Sequence, residues 1–524
     1  MTDATLTPAD GGAAEHPPAA ARPGKARWPV VLAVVLTAVL EVLDSTIVNV
    51  ALPHMKAAFG ITSDQTIWIL TSYIVASVAV MPLTGLFSRW FGRRRLITSA
   101  IIGFMSFSVL CGLSNSVEII VICRLGQGLF GAFLIPLSQS ILFETFPKEK
   151  RGQAMAMFGL GVVVAPVLGP TLGAVLTEYF SWRAVFFVNL PIAAFALMMM
   201  SGELPKEDQH RVSIDWTGLA LMVCAVGALQ LMLDLGASRD WFASPVIQVC
   251  ALTCVIAAVA FLIHGWKLST NIIDFGLFTD RSFAGANVAI MGFGVAMFGT
   301  IAVLPLFVQG LLGYSVLDAG FLFIPRGISA GISMVLTGSV LLKRFDARLL
   351  AAAGLVLTGV GNLAMGWLNI NAGFWDLAIP GVISGAGMGL FFVPMSTLAF
   401  QNVSPQKQDE ASGIYGVTRS MGSSIGIAVV GWQLTQRTQF HWNALVPDLS
   451  PFNANVWSYL APLGMTPTNP AAAGDLANQL AVQSQMLAFQ DVFSFTGWVA
   501  LLMLPVVFVM KSPPRGRAGT AIAH

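Results

Sequence analysis

The ionisable residues that interrupt otherwise apolar stretches come first, because a charge placed in lipid is costly and marks a functional position. Glu41 and Asp44 stand three residues apart in one such stretch, so a helix puts both on one face with Thr37, Ser45 and Val48. Arg124 interrupts another, and Gln127, Gly128 and Gly131 share its face. That face offers a cation, an amide and two smooth positions for close approach. Counted from the outer ends of their helices, Asp44 and Arg124 both lie about 11 Å below the surface at 1.5 Å per residue. They are therefore at matching depth, and two readings follow. Either they form a structural ion pair between helices, or a carboxylate shielded from water loads and releases a proton as access alternates, with Arg124 as the switch. Glu41, nearer the midplane, is the alternative proton carrier, and spacing alone does not rank the two.

The elements that must hold these residues are membrane spans. Of 524 residues, 56% are apolar and only 10% charged, with a mean hydropathy of +0.75. A soluble domain carries about 25% charged residues. Apolar segments run over 28–52, 66–88, 96–115, 117–141, 152–178, 183–203, 214–235, 246–267, 283–308, 316–342, 348–368, 377–401, 410–435 and 490–510. Each is about long enough to cross a bilayer. Most of the 28 Lys and Arg residues fall in alternate connections, such as the run Arg93, Arg94, Arg95, which places both termini in the cytoplasm. The expected fold is an all-α integral membrane protein of 14 transmembrane helices.

A repeat organises these spans. Gly131, Phe133, Pro136, Ser138 and Pro147 recur in register as Gly389, Phe391, Pro394, Ser396 and Pro405. Two similar six-helix bundles over 28–203 and 283–511 are expected, joined by a linker with two inserted helices over 204–282. Residues 1–27 and 512–524 read as cytoplasmic tails, the first of them disordered, and 436–488 as a long outer segment rich in polar and Pro-containing stretches. Paired bundles of this kind hold a substrate site at their interface near the midplane.

The fifth span, GLGVVVAPVLGPTLG, contains Gly161, Pro166, Gly169, Pro170 and Gly173. Glycine lets helices approach and proline kinks them, so this element is read as a bending gate or a close-packed structural helix. An enzyme is not expected: there is no clustered nucleophile, base or metal set, and no GK[ST] phosphate loop. The five cysteines lie in apolar runs, so neither a disulfide framework nor a zinc site is expected. No cofactor and no nucleic-acid partner are expected.

These residues resemble the major facilitator superfamily, specifically its 14-span drug:proton antiporter branch, and most closely the EmrB-type multidrug exporters. LDSTIVNVALP (Leu43–Pro53) is similar to the first-span signature of that branch, and Arg124, Gln127, Gly128 and Gly131 resemble its fourth-span proton-relay motif. Gly161, Pro166, Gly169, Pro170 and Gly173 resemble the antiporter motif. WRAVFFVNLPI (Trp182–Ile192), LQLMLDLGASRDWF (Leu229–Phe242) and Gly313–Ser315 with Ala319–Gly320 are further matches. In GLFSRWFGRRRL (Gly85–Leu96), Arg89 occupies the usual Asp position of the superfamily, so the cytoplasmic closing contact is expected to be made differently.

The resemblance implies proton-driven export of hydrophobic or amphiphilic toxic compounds across a bacterial inner membrane, with the proton gradient as the energy source. It also implies a three-part pump with a periplasmic membrane-fusion adaptor of the EmrA type and an outer-membrane channel of the TolC type. Proton coupling falls to Glu41, Asp44 and Arg124, and substrate contacts to Trp68, Tyr73, Phe133, Gln139, Gln309 and Arg326. Export of one specific metabolite, lipid or siderophore is the alternative reading.

Overall fold

Polar caps cut the apolar sequence into rods. Thr62 accepts the Gln65 backbone N–H while the Gln65 side chain accepts that of Thr62, a reciprocal cap. Ser116, Asp215, Asp280, Ser315 and Asn469 cap later helices one way, each with a side-chain oxygen that accepts a backbone N–H. Gly92, at φ +80°, makes the sharp reversal between the second and third helices that a side chain would resist.

The structure is a computed structural model that describes residues 28–147, 150–200, 214–267, 273–450, 452–466 and 469–511. The tails expected at 1–27 and 512–524 lie outside the described residues, as do 204–213 and 268–272 of the linker expected over 204–282. Among the described residues the helices are α1 (Trp28–Phe59), α2 (Gln65–Phe91), α3 (Arg93–Leu113), α4 (Val117–Thr145), α5 (Arg151–Tyr179), α6 (Ala184–Met200), α7 (Trp216–Arg239) and α8 (Pro245–Gly265). There follow α9 (Arg281–Leu311), α10 (Asp318–Arg344), α11 (Ala347–Met365), α12 (Phe374–Phe400), α13 (Gln408–Leu445) and α14 (Pro470–Val509). Eleven of them are long and apolar enough to cross a membrane by themselves. The shorter apolar α6, the 29-residue α5 and the 38-residue α13 complete the all-α membrane fold.

The helix pairs that pack in one half recur in the other. α1 lies on α5 as α9 lies on α13, α2 on α4 as α10 on α12, and α3 on α4 as α11 on α12. Leu110, Ile122, Val255 and Ile332 are exposed, as lipid-facing side chains should be. One large apolar cluster crosses from half to half near the end of the bundle where α1 begins. There Phe143 of α4 and Phe400 of α12, from the two copies of the repeat, meet with ring centroids 4.8 Å apart.

The segment 436–488 is largely helix. α13 continues to Leu445, about 15 Å past residue 435, and α14 starts at Pro470, about 30 Å before residue 490. His441 and Arg437 reach Asp491 at 2.8 and 3.4 Å and tie the two extensions together. A short helix, Ala454–Leu460, packs its Val456 and Leu460 on Ala472. Hydropathy finds only the lipid-embedded part of each helix, because polar residues such as Gln479 and Gln483 continue the rod into water.

Candidate functional site

Four helices of the first half converge on Asp44, which is fully enclosed on α1. Arg124 of α4 donates from Nη1 to Asp44 Oδ2 at 2.5 Å and to Gln127 Oε1 at 2.8 Å, and from Nε to the Ile69 carbonyl at 3.1 Å. Gln127 Nε2 and Asn189 Nδ2 of α6 donate to Asp44 Oδ1 at 2.9 and 2.6 Å. Asn189 also reaches Ser108 of α3 at 3.1 Å. Tyr73 lies under the guanidinium, its ring centroid 4.1 Å from Arg124 Cζ, a cation–π contact. Gly128 makes this possible, since a Cβ there would sit 2.3 Å from the Tyr73 carbonyl oxygen, and Gly131 abuts the Tyr73 hydroxyl. Asp44 and Arg124 therefore pair, inside a network that also uses Asn189. That residue stands in WRAVFFVNLPI, where an amide in an apolar run was the available signal.

The second half holds a neutral counterpart. Asn362 of α11 donates to Thr300 of α9 at 2.9 Å and to Thr496 of α14 at 3.2 Å, on helices equivalent to α3, α1 and α6. Among the described residues the charged version is thus in the first half.

Glu41 is held more loosely. α4 breaks at Ala132 and Phe133, and where it restarts the Ile135 N–H, free of a helical partner, donates to Glu41 Oε2 at 3.2 Å. Ser77 of α2 lies beside the carboxyl, the cation nearest it in effect is Arg419 of α13, across the interface between halves, and the Asp44 charge one turn on repels its charged form. Glu41 and Asp44, although one turn apart, thus have different partners: one half supplies all of Asp44's, and both halves supply those of Glu41.

The glycines of α5 face α1. A Cβ on Gly169 would lie 2.2 Å from Thr46 Oγ1, one on Gly173 2.8 Å from the Ile47 carbonyl, and one on Gly161 2.9 Å from Val35 and Val39. Pro166 and Pro170 are inside this helix. The motif therefore seats α5 directly behind Asp44. Among the expected substrate contacts, Tyr73 is enclosed beneath Arg124, Phe133 packs on Phe87 with centroids 5.5 Å apart, and Gln139 is buried beside Met155. Trp68 and Gln309 are exposed on α2 and on the π-helical end of α9. Arg326 is buried in α10, its Nη1 without a hydrogen-bond partner among the described residues. These six have separate surroundings.

The halves are clasped at the end where α1 begins. Arg89 of α2 donates to Glu410 of α13 at 3.0 Å, and Arg93 Nε to both Asp409 oxygens at 3.0 Å. Ser88 also bonds Asp409, Arg93 also bonds Glu144, and Glu410 accepts the Asp274 N–H. Beside them the Lys407 ammonium, together with the Gly276 N–H, holds the Asp274 carboxyl below the usual carboxylate range. The closing contact thus uses arginines on the first half and carboxylates on the second, a polarity consistent with Arg89 in place of an Asp. Asp409 and Glu410 are clasp residues that hydropathy passes over as the polar start of a span.

Gly85 measures how tight this clasp is: a Cβ there would lie 2.5 Å from Glu410 Cβ and 2.7 Å from its Cα. Gly85→Ala is expected to cost the clasped arrangement about 1–3 kcal/mol, shifting its population roughly 5–150-fold. Paired spin labels on α2 and α13 measure this directly, and an unchanged distance distribution would refute it.

The model of the Major Facilitator Superfamily matches residues 34–427. The chain is 32% identical over 507 residues to the Multidrug export protein EmrB of Escherichia coli (strain K12), an alignment covering 94% of this chain and 97% of that one. It is 32% identical over 495 residues to the Fatty acid resistance protein FarB of Neisseria gonorrhoeae, covering 92% and 96%. The human organic anion transporter MFSD10 (TETRAN) shares the fold, with a TM-score of 0.61 over 92% of this chain and all of that one at 14% identity. With its paired bundles, its charged first-half network and these full-length relatives, the chain is a multi-pass membrane protein of the Major Facilitator Superfamily, on its EmrB-like branch.

Proposed function

We propose that this protein exports hydrophobic or amphiphilic drugs and toxic compounds across a bacterial inner membrane in exchange for protons, by alternating access. It is a transporter, and it catalyses no covalent reaction. The observation that carries this reading is the contrast between the two carboxylates of α1. Neutralising Asp44 would strand the buried Arg124 guanidinium, a large penalty, so Asp44 stays paired and fixes α1 to α4. Neutralising Glu41 weakens a single backbone hydrogen bond, the Ser77 contact and its attraction to Arg419, a change felt across the interface between the halves. Glu41 is therefore the proton carrier. It loads from the outside while the clasp of Arg89 and Arg93 on Glu410 and Asp409 closes the cytoplasmic end, then discharges inside once that clasp has parted. The proton gradient is the only energy source this scheme needs.

The names of the relatives, a multidrug export protein and a fatty acid resistance protein, support amphiphilic cargo. In vesicles preloaded with a permanently cationic amphiphile, substrate efflux should draw protons inward and acidify the lumen. Efflux with no lumenal pH change would refute antiport.

With both termini cytoplasmic, the helical extension of α13 and α14 stands in the periplasm, where a membrane-fusion adaptor of the EmrA type would meet it and lead to an outer-membrane channel of the TolC type. Deleting 446–469 is expected to abolish co-purification of that adaptor while leaving efflux in vesicles intact. Undiminished co-purification would refute the docking role.

A further inference from the structure

The inserted helix α7 sits on the seam between the halves. Val226 packs with Val78 and Met81 of α2 and with Val417 and Met421 of α13, and Gly227 faces Val75 and Ala79 of α2. Near its outer end the seam turns polar. Gln230, fully buried, donates from Nε2 both to Asp234 Oδ1, one turn on, at 2.7 Å and to Ser424 Oγ of α13 at 2.8 Å. One amide thus bonds a carboxyl on the insert and a hydroxyl on the second half.

The donors in this group run short. Gln230 supplies two hydrogens and spends both, and Ser424 contributes one hydroxyl hydrogen, yet among the described residues Asp234 Oδ2 and Gln230 Oε1 are both enclosed without a partner. Among the described residues no cation pairs with the carboxyl. Among the described residues, the titratable groups on the elements packed around α7 are Tyr73 and Arg89 on α2, Asp409, Glu410, Tyr415, Arg419, Arg437 and His441 on α13, Cys250, Cys254 and His264 on α8, and Asp240 in the following turn, with Cys224 and Arg239 on α7 itself. Among the described residues Asp234 makes no ion pair with any of these, and its hydrogen-bond partner is the Gln230 amide. Arg437 is engaged with Asp491, and the Asp215–His264 pair lies at the other end of α7. A bare carboxylate enclosed without a counter-charge costs several kcal/mol, whereas a protonated carboxyl adds the donor that this group lacks.

We propose that Asp234 is a second proton-binding site, occupied in this arrangement, whose proton holds α7 to α13 and is released to outer water when Ser424 withdraws. It lies in the outer third of the bundle, on the insert, away from Glu41. Its proton is therefore not the one carried across; it makes external acidity favour the cytoplasm-closed arrangement, in which Glu41 loads. External alkalinity strips the proton, charges the seam and opens the contact.

The test is infrared difference spectroscopy on the full-length protein in lipid at neutral pH, with wild type, Asp234→Asn and Glu41→Gln. A C=O stretch of a protonated carboxylic acid that is missing only in Asp234→Asn is expected. In vesicles carrying Glu41→Gln, where down-gradient substrate exchange no longer depends on the Glu41 proton, raising the outer pH should slow exchange severalfold, and adding Asp234→Asn, neutral at every pH, should remove that dependence. If Asp234→Asn removes no such band, or if the two pH profiles superimpose, the proposal is overturned. The spectroscopic arm needs no transport, so its outcome is separate from that of proton coupling at Glu41.

Discussion

Arg124→Ala is expected to destabilise the protein by about 3–5 kcal/mol and to abolish export. The guanidinium is fully buried, and its loss leaves Asp44 without its counter-charge, and Gln127 Oε1 and the Ile69 carbonyl without their donor, in a site that water does not reach. Arg124→Lys should recover only part of this. An ammonium has no planar fork to serve Asp44, Gln127 and the carbonyl together, and it loses the stacking on Tyr73. Thermal melts of the purified variants give the stability, and vesicle efflux gives the function. A double variant separates the roles of the network. Asp44→Asn with Arg124→Gln removes both charges, so stability should return most of the way, while export stays lost if the pair orients α1 and α4 for transport. A stable, fully active double variant would show that the network is packing alone.

Glu41→Gln is expected to leave the fold intact and remove proton coupling. The amide keeps the size of the carboxyl and still accepts the Ile135 N–H, so the cost in stability should be within about 1 kcal/mol. What goes is the exchangeable charge and with it the attraction to Arg419 on the other half. Down-gradient substrate exchange should persist, while accumulation against a gradient driven by protons should fall at least tenfold, about 1.4 kcal/mol or more of lost coupling.

Much of the site was legible in the sequence because lipid makes charge expensive. Glu41, Asp44 and Arg124 stood out in apolar runs, and their depths matched well enough to bring the last two together. The glycines of α5 also read as a face for close packing, but that their partner is α1 was not legible. The separation of the two carboxylates was not legible. It depends on the break in α4 at Ala132 and Phe133 that frees one backbone N–H, and on Arg419, almost 380 positions away in sequence. Asn189 passed as an ordinary residue of an apolar run, since one amide costs far less than a charge. The clasp was half legible: Arg89 signalled an altered polarity, but nothing local to Asp409 and Glu410 names the arginines they meet. The extensions of α13 and α14 were hidden because a helix that leaves the membrane keeps its hydrogen bonds and loses only its hydropathy.

The central claim is that Glu41 carries the exchanged proton while Asp44 remains paired. It is tested most directly by lumenal pH in vesicles preloaded with a permanently cationic amphiphile, comparing wild type with Glu41→Gln as substrate flows out. The account predicts lumenal acidification in wild type and none in Glu41→Gln, at comparable substrate efflux. Acidification of equal extent in both would contradict it.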